Sequence, residues 1–118
     1  MTVTMYHNPR CSKSRATLAL LQERGITPEI IEYLKTPPSE AELGQVLTIL
    51  GKQPDELMRK GESEYREHFQ GKALSRAEAI ALMVAHPIVI ERPIVVKGNR
   101  AAVGRPPESV LDVVFPND

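Results

Sequence analysis

Apolar and polar positions change rhythm several times along the chain, and each change marks an element. Val3 to Tyr6 is a short run of strand formers closed by the loop signal Asn8-Pro9. Behind it Ala16, Leu18, Ala19, Leu20 and Leu21 crowd one helical face, Gln22, Glu23 and Arg24 are polar, and Gly25 is a stop. This predicts a helix from Ser12 to Arg24. Glu29 to Leu34, bounded by Pro28 and by Pro37-Pro38, reads as a second strand. A strand-helix-strand unit pairs its strands in parallel and leaves the carboxyl end of the first strand as a natural ligand position.

The middle of the chain is helical. Ser39-Glu40-Ala41-Glu42 is a capping box ahead of Leu43, Val46, Leu47 and Leu50, with Gly51 as its close. A shorter helix is expected from Pro54 to Lys60-Gly61. Glu62 to Gly71 is weakly patterned, a helical turn or loop anchored by Tyr65 and Phe69. Ser75-Arg76-Ala77-Glu78 is a second capping box, leading into Ile80 to Val84 and stopping at His86-Pro87. Beyond Pro87 the period falls to two. Ile94 to Lys97, Gly98-Asn99 and Arg100 to Val103 read as an antiparallel hairpin, and Pro106-Pro107-Glu108 opens a last short helix carrying Val110, Leu111 and Val114. The order β-α-β, a helical insertion at 39–86, then β-β-α is that of a thioredoxin-like α/β domain with a mixed four-stranded sheet, and a single domain over 1–118 is expected.

Composition narrows the function classes. A chain of 118 residues, 42% hydrophobic and 25% charged, can bury one core. Fifteen basic and fifteen acidic residues cancel without forming a block of like charge, so the footprint of a nucleic-acid binder is missing. No signal peptide is visible and no apolar run is long enough for a membrane span, so a cytoplasmic location and no membrane partner are expected. A lone cysteine excludes an internal disulfide and suits a reducing compartment.

That cysteine, Cys11, falls between the first strand and the first helix. There the free backbone N–H groups and the positive end of the helix dipole favour a thiolate, and the same groups can hold an oxyanion beside it. An ordinary thiol with a pKa of about 8.5 is only ~3% ionised at neutral pH, and a shift to roughly 6.5 would ionise about three-quarters of it. A lone cysteine can also be a small buried hydrophobe; the loop position after Pro9 and the cationic helix start speak for a functional thiol. His7 could hold the thiolate or be a satisfied polar side chain. Ser14 stands where a dithiol enzyme would carry its resolving cysteine; it can donate a hydrogen bond but form no disulfide, and it could equally be an ordinary first-turn residue. Arg15 could face the anion or solvent. His68 and His86 are read as surface or helix-end residues, with no metal site.

The run His7-Asn8-Pro9-Arg10-Cys11-Ser12-Lys13-Ser14-Arg15, followed by Tyr33-Leu34, Pro37-Pro38, Leu57 to Lys60, His86 to Ile88, Arg92 to Val96 and Gly104-Arg105-Pro106, resembles the glutaredoxin-coupled arsenate reductase (ArsC) family over nearly the whole chain. Its length resembles the short branch of that family, whose longer members continue into a charged tail. The resemblance implies reduction of arsenate to arsenite by Cys11, no bound cofactor, glutathione as co-substrate and glutaredoxin as partner. It places His7 in the active-site motif and implies that Arg59, Arg92 and Arg105 bind the oxyanion, guanidinium being suited to gripping two oxygens of a tetrahedral anion. Thioredoxin-like domains place a cis proline opposite the active cysteine, which would be Pro93 and would bring Arg92 to the sulfur. Two other readings fit the superfamily: an RNA polymerase-binding regulator resembling Spx, against which Ser14 in place of a second cysteine argues, and a monothiol oxidoreductase acting on glutathione mixed disulfides.

Overall fold

The computed structural model describes residues 2–115, and they fold as two compact units. One runs to Thr36 and resumes at Arg92; the other is Pro37–Glu91.

The first unit is built on a four-stranded sheet of order β2-β1-β3-β4. Its strands are β1 (Val3–Tyr6), β2 (Glu29–Ile31), β3 (Ile94–Lys97) and β4 (Arg100–Val103). β1 pairs in parallel with β2 (Met5 opposite Ile30) and antiparallel with β3 (Met5 opposite Val95), and β3 returns antiparallel to β4 (Ile94 opposite Val103). This is the mixed α/β sheet of a thioredoxin-like fold, with α1 (Ser12–Glu23) crossing between the parallel pair. Val3, Met5 and Val95 meet Leu21 of α1 and Val110, Val113 and Val114 in a buried apolar cluster. The last three come from a 3₁₀ turn at Pro107–Val110 and the short, last helix of the chain, α5 (Leu111–Val114). Burying a side chain such as Leu21 or Val95 stabilises the fold by about 1.5–3 kcal/mol.

Two details of this unit depart from the sequence pattern. β2 stops at Ile31 rather than Leu34, because the Glu32 carbonyl accepts from the N–H groups of Lys35 and Thr36, both at 2.9 Å, and the chain turns there. The buried face of α1 is also displaced: Ser14, Thr17 and Leu21 point inward, whereas Ala16 and Ala19 are exposed. The helix ends one residue short of Arg24, ahead of Gly25, whose φ of 78° is the left-handed turn that a side chain disfavours.

The second unit is helical: α2 (Glu40–Leu50), α3 (Ser63–His68) and α4 (Arg76–Ala85). Both capping boxes form, Ser39 with Glu42 and Ser75 with Glu78. Leu43, Val46 and Leu47 of α2 and Ala79, Ile80 and Met83 of α4 are buried, as are Leu57, Phe69, Val89 and Ile90. The helix expected over Pro54 to Lys60 is only a 3₁₀ turn, Pro54–Leu57. Met58 becomes extended and bridges Ile90, because Arg59 N–H donates to the Val89 carbonyl (2.7 Å) and Glu91 N–H to the Leu57 carbonyl (2.8 Å). The weakly patterned stretch that follows contains α3, with Tyr65 stacked on Phe69. His86 caps the end of α4, its ring stacked on that of His68 at 3.9 Å. No helix among the described residues is long and apolar enough to cross a membrane.

Candidate active site

The loop between β1 and α1 is a set of short backbone turns that deliver Cys11 to the helix start. The Asn8 side chain accepts from Arg10 N–H and its carbonyl from Cys11 N–H, both at 3.0 Å. Asx turns of this kind are local, which is why Asn8-Pro9 is a reliable loop signal. Cys11 then occupies the N-cap of α1 with extended backbone angles, and no side chain caps that helix. Its first N–H groups therefore remain for the sulfur.

Cys11 is 8% exposed, and burial pushes its thiol up. The backbone N–H of Ser14, the Arg92 charge, the Lys13 N–H and a hydrogen bond from Arg92 together outweigh that cost, and the thiol is held below its ordinary value. Arg105 completes the surround: one of its terminal nitrogens stands 4.0 Å from Sγ, while its Nε donates to the Arg92 carbonyl at 2.9 Å. Arg92 and Arg105 are thirteen residues apart in sequence. The hairpin returns the chain and brings them together: Arg92 precedes β3, Arg105 follows β4, and Gly104 N–H donates to the Pro93 carbonyl at 2.8 Å. Both the Arg92-Pro93 and Arg105-Pro106 peptide bonds are cis.

His7 and Ser14 form a second, deeper layer. His7 N–H extends the β1–β2 ladder to Ile31, and its Nδ1 lies 2.6 Å from the Ser14 hydroxyl, which is fully buried and also accepts from Asn8 N–H at 3.0 Å. Burial is the largest cause holding His7 below its ordinary value; Glu32 opposes the shift and Arg15 reinforces it. A neutral ring can accept at Nδ1 from the Ser14 O–H, which places the ring proton on Nε2. Arg15 itself folds back, donating to the Pro9 carbonyl at 3.1 Å.

Arg59 belongs to the Pro37–Glu91 unit. There its guanidinium pairs with Glu62 at 2.8 Å and reaches the Ile88 carbonyl at 3.4 Å. Among the described residues no three of His, Cys, Asp or Glu gather as a metal site would require.

A free thiol on an uncapped helix start, with two guanidinium groups against it, can attack an electrophilic centre in an anion and neutralise the charge on its oxygens. Residues 6–113 match the ArsC family. The chain belongs to that family. It is 43% identical to an arsenate reductase of Haemophilus influenzae over 97% of this chain and all of that one. It is also 50% identical to the Escherichia coli protein YfgD over 95% of this chain and 96% of that one. A solved structure, an arsenate reductase from Vibrio cholerae, superposes with a TM-score of 0.91 at 49% identity and covers 96% of this chain and 98% of its own.

The structure adds three residues that the sequence pattern did not single out for the site: Thr17, Glu32 and Gly104. Thr17 is fully buried and its hydroxyl donates to the Lys13 carbonyl at 2.8 Å, bracing the first turn. Glu32 is the acidic group that bears on His7. Gly104 lies under both Thr17 and Pro93. The repeated Arg-Pro dipeptides at 92–93 and 105–106 were the available signal that two loops converge.

Proposed function

We propose that this chain reduces arsenate to arsenite at Cys11, with glutathione and glutaredoxin as the external reductants. The observation that carries this reading is the solitary thiol at an open helix N-terminus with Arg92 and Arg105 directed at it, in a member of the ArsC family. The Cys11 thiolate bonds to arsenic and an arsenate oxygen leaves as water after protonation; arsenic stays at +5. Glutathione adds to arsenic in the same way and displaces a second oxygen. A glutaredoxin thiolate then attacks the glutathione sulfur. The sulfur–arsenic electron pair stays on arsenic, which falls to +3, and the two external sulfurs leave as a mixed disulfide. Water cleaves the remaining bond, releasing arsenite and restoring the thiolate.

Arg92 and Arg105 bind and neutralise the oxyanion in this scheme, and Arg59 is assigned to the same task on the family pattern. His7 and Ser14 act on the thiol indirectly, by fixing the helix turn whose N–H groups face it. Arg15 holds the loop and adds positive charge. Pro93 shapes the loop that presents Arg92. A cytoplasmic location suits thiol reductants of this kind, and the stretch at about 39–86 is read as a helical insertion within one thioredoxin-like domain over 1–118.

The test is arsenite release from arsenate with purified protein, glutathione and glutaredoxin. The expected result is turnover that requires all three and vanishes in Cys11→Ser. Activity surviving that substitution would sink the proposal. Deglutathionylation without arsenate dependence would replace it by a monothiol oxidoreductase, and co-purification with RNA polymerase without oxyanion binding by a regulator.

A further inference from the structure

We propose that Gly104 is a positioning residue of the thiol site, its missing side chain letting the end of β4 lie against Thr17 and Pro93 at once so that Arg92 and Arg105 are held on Cys11. A Cβ at position 104 would stand 2.5 Å from Thr17 Oγ1, 2.8 Å from Pro93 Cγ and 3.2 Å from Thr17 Cγ2. The first two approaches are closer than carbon allows, in a core that packs as densely as a crystal. Conformation does not explain the glycine. Gly25, Gly51, Gly71 and Gly98 have positive φ and Gly104 does not, so it is the close approach that excludes a side chain here.

Each neighbour that a Cβ would push carries part of the site. Thr17 braces Lys13 through its 2.8 Å hydrogen bond, and Lys13 and Ser14 supply the N–H groups that face the sulfur. Pro93 is tied to Gly104 through the 2.8 Å backbone bond and follows Arg92 directly. Arg105 is the next residue, and it grips the Arg92 carbonyl while reaching toward Sγ. Gly104 is thus the point where the helix start, the Arg92 loop and the Arg105 loop meet. A displacement of any one of them moves a cation or an N–H donor away from Cys11.

The proposal rests on Cys11 as the reacting thiol and not on arsenate as its substrate. It is therefore tested on the thiol itself, by the pH profile of Cys11 alkylation with iodoacetamide in the intact protein, after circular dichroism has shown each variant folded. Gly104→Ala is expected to move the midpoint of that profile up by about 0.5–1 pH unit and to slow alkylation at pH 7 roughly 3- to 10-fold. Thr17→Ala/Gly104→Ala, which removes Oγ1 and Cγ2 from the path of the new Cβ, is expected to recover at least half of the shift. Thr17→Ala alone, which only deletes atoms, is expected to raise the midpoint by a smaller amount. A folded Gly104→Ala protein with the wild-type profile would overturn the proposal. So would a double variant no closer to wild type than the single one, or, where neither Gly104 variant folds, an unchanged profile in Thr17→Ala. Expected shifts in a protein that does not turn over arsenate would uphold this role while rejecting arsenate reduction.

Discussion

The longest helix of the sheet unit, α1, begins in the opposite way from α2 and α4 of the helical unit. In the Pro37–Glu91 unit, α2 and α4 are closed by complete capping boxes and carry acidic residues in their first turns. In the sheet unit, α1 begins at Cys11 with no side-chain cap and no acidic residue in its first turn. The interiors differ in the same sense. Among the described residues the three buried polar side chains, His7, Ser14 and Thr17, all lie in the sheet unit, while the buried side chains of the helical unit are apolar. The contrast teaches that a satisfied helix start stabilises a fold, whereas an unsatisfied one is available for chemistry. α1 forgoes a cap and keeps its N–H groups for a sulfur anion.

Replacing Cys11 breaks this contrast most completely. Cys11→Ser should abolish arsenite release, a loss of at least about a thousandfold because the nucleophile is gone. It should also convert α1 into a capped helix like α2 and α4, stabilising the protein by about 0.5–1 kcal/mol. Thermal denaturation should then show a melting temperature roughly 2–6 °C higher, so that activity and stability move in opposite directions. In the helical unit, Leu47→Ala deletes a fully buried side chain and should cost about 2–5 kcal/mol in urea unfolding, with the alkylation profile of Cys11 unchanged in the folded protein.

Ser14→Ala tests the buried polar layer from the other side. It strands His7 Nδ1 and the Asn8 N–H, and should cost about 1–3 kcal/mol while slowing Cys11 alkylation, readable by urea unfolding and iodoacetamide kinetics on one preparation. Ser75→Ala removes a cap remote from any thiol in sequence. A loss of about 1 kcal/mol with unaltered alkylation is expected, and altered alkylation would mean that caps in the helical unit also bear on the thiol.

The smallest expected effect is on pH dependence. His7 has a folded pKa below its ordinary 6.5, so above 6.5 the ring is neutral in both folded and unfolded chains. As pH falls through 6.5 the unfolded chain takes up the proton first, and stability declines until the folded ring is protonated too. Urea unfolding between pH 7 and pH 5 should show this decline, and His7→Gln should flatten it. Cys11 works in the same direction at higher pH: its lowered pKa stabilises the folded state above the unfolded value, and that contribution is lost as pH falls through the folded one.

What could be read from sequence follows from how local each signal is. The capping boxes, the Gly25 stop and the Gly98-Asn99 hairpin depend on residues a few positions apart, and the structure bears them out. The position of Cys11 between β1 and α1 was legible for the same reason. The face of α1 was not, because apolarity marks the inward side of a helix only where the interior is apolar; beside the thiol, Ser14 and Thr17 are the residues that go inside. The helix expected after Pro54 failed because strand-like bonds to Val89 and Leu57, from residues about thirty positions away, override its local pattern. Gly104 stayed hidden because its meaning lies in Thr17 and Pro93, neither of them its neighbour in sequence.

The β3–β4 hairpin has a consequence for how this chain can vary. Because Ile94 faces Val103 and Lys97 faces Arg100, the spacing of Arg92 and Arg105 is set by the paired strands and not by the turn that joins them. The hairpin works as a caliper whose jaws are the two guanidinium groups. Residues inserted at Gly98-Asn99 lengthen the handle and leave the jaws where they are, at an entropic cost that grows only slowly with loop length. One residue deleted from either strand turns every later side chain of that strand to the opposite face. Length variation in this protein should therefore be tolerated at the hairpin tip and excluded from 94–97 and 100–103.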